Sequence, residues 1–77
     1  MTLKNAVNEI MDFAKAHGND VHIAYRKMRY AVNVGDVDNI TLKELEAAKE
    51  FIDAHYTAVV EARKTGDWSE LSEDLGE

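Results

Sequence analysis

Proline is absent from this chain, and glycine stands only at positions 18, 35, 66 and 76. That punctuation constrains the fold more than any other feature. Gly18, Gly35 and Gly66 divide the chain into four stretches, and no proline interrupts any of them. In each, apolar residues recur at three- and four-residue steps, the period of an amphipathic helix. There is no internal repeat and no low-complexity run. The pattern predicts an all-α fold: a small three-helix bundle over residues 1–66, followed by a short acidic fourth helix within 67–77.

The first helix is expected from about Thr2 to His17. Leu3, Ala6, Val7, Ile10, Met11, Phe13 and Ala14 share one face, with Thr2 as the cap and Gly18 as the terminator. The second is expected from about Asp20 to Asn33, capped by Asn19 or Asp20. Val21, Ala24, Tyr25, Met28, Ala31 and Val32 form its core arc. A polar loop, Val34–Ile40, leads to the strongest start signal in the chain. Thr41 and Glu44 form a T-x-x-E capping box, and Ile40 can pack on Leu45 as the hydrophobic staple.

The third helix should run to about Lys64 and stop at Gly66. It would be about 34 Å long, against about 22 Å for each earlier helix. Its end therefore overhangs its partners. Its apolar arc is wide: Leu45, Ala48, Ile52, Tyr56 and Val59 form one half, and Ala47, Phe51, Ala54, Ala58 and Ala62 the other. The tail offers a cover. Asp67 and Glu70 repeat the cap pattern, and Trp68, Leu71 and Leu75 then fall on one face.

Size makes covering such surfaces pressing. Of the 35 apolar residues among 77, ten are alanine. A domain this small buries only about 60% of its unfolded surface, so staples or association are often needed. No cysteine is available for a disulfide or a thiolate metal site. Self-association, as a homodimer or larger homo-oligomer, is therefore expected. No apolar run approaches a membrane span and no secretory signal is visible, so no membrane role and a cytoplasmic location are expected.

The net charge of −6 is unevenly placed. Residues 67–77 hold five acids and no base, whereas residues 19–35 hold Arg26, Lys27 and Arg29 against Asp20 alone. The overall sign makes nucleic acid an unlikely partner, because such binding requires neutralising phosphates.

Motifs for catalysis are few. Ser69 and Ser72, the only serines, lie in the acidic tail, where negative neighbours oppose formation of a nucleophilic anion. No glycine-rich phosphate loop occurs. The loop before the third helix fails as an EF-hand calcium loop. With Glu44 as the twelfth ligand, Gly35 and Val37 occupy the third and fifth ligand positions, and Asp38 the glycine position. No enzymatic activity, cofactor or metal is expected. His55 sits within the apolar arc of the third helix. It reads as a hydrogen-bonded core or interface residue, or as a pH-sensitive contact. His17 and His22 read as surface residues.

The second helix carries the most informative surface. Opposite its complete core arc, Ile23, Tyr30 and Val34 fall within about 40° of one another. His22, Arg26, Arg29 and Asn33 line one flank and Lys27 the other. Arginine and tyrosine are enriched at interface hot spots. Partner binding is therefore expected at Ile23, Arg26, Lys27, Arg29, Tyr30 and Val34. The tail offers a second surface, with Trp68, Leu71 and Leu75 either packing on the bundle or docking on a partner, beside the acids Glu70, Glu73 and Asp74. The leading expectation is a non-enzymatic protein-binding regulator or inhibitor acting through helix surfaces. An acidic mimic of nucleic acid and a self-assembling structural protein are the rivals.

Overall fold

The structure, a computed structural model, describes residues 1–18 and 20–76. Asn19, one of the two candidate caps for the second helix, lies outside the described residues. Three long helices and one short one follow in order: α1 Leu3–Ala16, α2 Val21–Asn33, α3 Leu42–Thr65 and α4 Ser72–Leu75. The chain is an all-α bundle in which each long helix packs on the other two.

Side-chain caps start the long helices where the sequence signals stand. The Thr2 hydroxyl accepts from the Asn5 N–H at 3.2 Å, and the Asp20 carboxylate accepts from the Ile23 N–H at 3.0 Å. Thr41 accepts from the Glu44 N–H at 3.2 Å. The reciprocal half of this capping box differs from expectation. The Glu44 carboxylate accepts a hydrogen bond from the Thr41 hydroxyl at 3.0 Å, and its other oxygen, 3.7 Å from the Met1 amine, makes no hydrogen bond among the described residues. Gly66 ends α3 at φ 78°, a left-handed conformation that costs glycine least.

Side-chain contacts give the relative directions. His22 faces Asp53 and Arg29 faces Glu46, so α2 runs antiparallel to α3. The amino terminus lies beside Glu44, near the start of α3, whereas Arg63 near its end binds Asn8 and Asp12 of α1. The two helices thus run in the same sense. A straight helix of 24 residues would be about 36 Å long. The whole molecule measures 34 Å in its longest dimension. The helix is in fact kinked at His55, where φ is −128° and ψ is 28°. No proline or glycine stands there, and the sequence carries no sign of the bend.

The core is continuous. Val7, Ile10, Met28, Leu45, Ile52 and Val59 are its largest fully buried side chains. Ile40 joins Leu45 in the same cluster, as the staple requires. Among the described residues, no polar or charged residue is buried. The expected arcs of α1 and α2 face inward, but that of α3 is narrower than its sequence suggests. Tyr56, Ala47 and Ala54 are exposed. Tyr56 directly follows the kink, where the helical phase that would carry it inward is broken. Ala47 and Ala54 lie on an edge that neither α1, α2 nor the tail covers.

The C-terminal segment does fold back. Leu71 and Leu75 join Ala6, Val7, Ile10 and Val59 in the core, and Trp68 packs against its margin. The Lys4 ammonium lies 5.4 Å from the Trp68 ring centre. The second cap signal, however, does not start a helix. The Asp67 carboxylate accepts from the Ser69 N–H at 3.0 Å and closes a turn instead. Helix α4 begins only at Ser72, with no side-chain cap.

Candidate docking face

Helix α2 is amphipathic in an unusual way, because both its sides carry large apolar residues. Val21, Ala24, Met28 and Ala31 point into the core. On the opposite side Ile23 is 42%, Tyr30 69% and Val34 52% exposed. Among the described residues, no part of the chain covers them. The three residues lie on one line, Tyr30 two turns beyond Ile23 and Val34 one turn beyond Tyr30. Arg26, Lys27 and Arg29, also exposed, surround it. The structure thus brings together all six docking residues expected on α2.

Helix α3 adds an element that the sequence did not suggest. Its polar face brings carboxylates to one flank of α2. Arg29 lies 3.4 Å from Glu46, and the His22 imidazole 3.9 Å from Asp53. Asp53 also pairs with Lys49 at 2.6 Å, one helical turn away. That hydrogen bond raises the Lys49 ammonium above its ordinary pKa, with partial burial opposing. Lys49 further lies 5.8 Å from the Tyr25 ring centre. Between the helices is an open cleft of about 480 Å³ lined by His22, Tyr25, Arg26, Arg29 and Lys49. Among the described residues, Arg26 and Lys27 form no ion pair. The i,i+4 spacing of Lys49 and Asp53 was the available signal for this part of the site. The pairing of Glu46 with Arg29 needed the tertiary fold.

The other expected docking residues fare differently. Leu71 is 3% and Leu75 6% exposed, so both belong to the chain's own core. Trp68 is half-buried under Lys4. These three side chains hold the segment down and are not presented to a partner in the folded chain. The reason is geometric: the segment has one apolar face, and the α1–α3 surface takes it. The acids Glu70, Glu73 and Asp74 remain exposed. Asp67 sits apart from them in its turn, where the Ser69 side chain and backbone N–H hold its carboxyl below the usual carboxylate range.

His55 is half-buried at the kink, its ring tilted against Phe51 at 4.6 Å between centres. Among the described residues it makes no hydrogen bond or ion pair, and its ring packs on Phe51 in place of the hydrogen bond expected. Asp53 points to His22 and Lys49 instead. His17 caps the end of α1, its ring 2.9 Å from the Phe13 carbonyl. Among the described residues no three His, Asp or Glu side chains gather as a metal site. Among the described residues no helix is long and apolar enough to cross a membrane.

Compared with known protein families, curated proteins and solved structures, the chain matches none.

Proposed function

We propose that this chain is a small non-enzymatic protein that binds another protein through the outer face of α2 and regulates or inhibits it. One observation carries the reading. Ile23, Tyr30 and Val34 stay exposed on a helix whose other side already fills the core. The fold therefore has no use for them, whereas an interface does. A tyrosine and arginines around an apolar centre are the composition from which hot spots are built.

Photocross-linking tests this in cells that make the protein. A benzophenone amino acid replaces Tyr30 in one variant and Glu50, on the acidic face of α3, in another. A discrete heavier adduct from position 30 and none from position 50 is the expected result. No adduct from position 30, or the same adducts from both, would contradict the reading.

The exposed acids Glu70, Glu73 and Asp74 favour a second reading, in which the acidic surface mimics nucleic acid and occupies a DNA- or RNA-binding groove. Binding would then weaken steeply with salt, and charge reversal at these three positions would abolish it. Self-assembly is the third reading. It predicts an oligomer that Tyr30→Asp dissolves, with no further target.

A further inference from the structure

We infer that the α2 face takes an acidic amphipathic polypeptide segment, whose apolar side chains lie on Ile23, Tyr30 and Val34 and whose carboxylates reach the surrounding cations. The inference rests on the docking reading above and specifies the chemistry of the partner. Its first support is length. The apolar line runs about 16 Å along the helix, the rise of three turns. A partner helix with apolar residues at i, i+4 or i+7, and i+11 matches it.

The second support is charge. The chain carries −6 overall, yet residues 19–35 are net basic. Arg26 and Lys27 flank the apolar line without an ion pair among the described residues, and so are free to meet carboxylates. Arg29 borders the cleft, its contact with Glu46 being half-exposed on both sides and weakened by solvent. Of the α3 acids, Asp53 is already paired with Lys49, which lines the cleft.

A second copy of the chain fits less well. A two-fold contact between α2 faces would set Arg26, Lys27 and Arg29 against their own copies, where like charges repel. The acidic tail of a second copy has the right charge, but its Leu71 and Leu75 are buried at home. Nucleic acid would suit the cations. It has no use for Ile23 and Val34, however, and the net charge repels it.

A displayed library of helical peptides supplies the test. All members share an apolar line of three turns, and their remaining positions are drawn from Asp, Glu, Lys, Arg, Gln and Ser. On the full-length protein, acidic members should enrich about tenfold over basic ones. Arg26→Glu with Lys27→Glu should reverse that preference. Ile23→Ser with Tyr30→Ser should abolish retention while the helical melting curve is kept.

Four results would overturn the inference: no enrichment, enrichment without a sign preference, retention unaffected by the serine variant, or displacement of the selected peptides by oligodeoxythymidine. A cross-link from position 30 together with enrichment blind to charge would sink the acidic partner and leave the docking reading standing. Loss of that cross-link would sink both.

Discussion

Two segments of this chain look alike in sequence and end in opposite places. The outer face of α2 has Ile23, Tyr30 and Val34 at helical spacing among cations. The C-terminal segment has Trp68, Leu71 and Leu75 at helical spacing among acids. In the folded chain the first line is exposed, and both leucines of the second are buried. The difference lies in what else each helix offers. Helix α2 has a complete core arc on its other side, so its second apolar line is surplus to folding. The tail has only one apolar face, and the long α3 leaves a surface beside α1 that needs covering. An apolar line is thus informative about binding only after the core has been satisfied.

The strongest way to break this contrast is to remove residues 67–77. Burying two leucines contributes about 3–6 kcal/mol, a large share of what a domain of this size has. The truncated chain should melt without a cooperative transition by circular dichroism. Leu71→Ala alone should cost about 2–4 kcal/mol in urea unfolding. A truncated chain that unfolds like the full one would return the tail to the surface.

The α1–α3 seam sharpens the contrast from another side. Arg63 binds the Asn8 side chain at 2.7 Å and also reaches Asp12. Arg63→Met should cost about 1–2 kcal/mol, since it leaves a charge-assisted pairing unmade. Thr41→Ala removes the cap of α3 and should cost about 1 kcal/mol. Both are read by urea unfolding, and both should exceed any stability change made on the outer face of α2.

Asp67 gives the tail a pH signature. Its folded pKa is depressed by Ser69, so its stabilising contribution is present above the unfolded carboxylate value, near pH 4. That contribution is lost as pH falls through the folded value. Asp67→Asn should therefore be less stable than the parent at neutral pH, with the gap closing below about pH 4. A gap that widens in acid would contradict the assigned turn.

Most of the fold was legible from periodicity and caps. The inward arcs of α1 and α2, the caps Thr2, Asp20 and Thr41, and the termination at Gly66 follow from local chemistry that tertiary structure left alone. The kink at His55 was not legible, because bends are normally announced by proline or glycine and neither is present. Tyr56 was misplaced for that reason. The turn at Asp67 was misread because an Asp before a helix and an Asp in a turn accept the same backbone N–H groups.

The candidate site was half legible. Its α2 half followed from one helical wheel. The contributions of Glu46, Lys49 and Asp53 depended on how α3 lies against α2, which no spacing within either helix encodes. The tail residues show the converse error: a partner was considered for side chains that the chain itself covers.

The central claim is that the outer face of α2 is dispensable for folding and therefore available for binding. Urea unfolding of the Ile23→Ser/Tyr30→Ser variant beside the parent chain, each at a low and a high protein concentration, tests it directly. The account predicts stabilities within about 0.5 kcal/mol of each other, independent of concentration in both. A parent whose stability rises with concentration, joined to a variant that loses several kcal/mol, would show that the face is needed to complete the fold between copies.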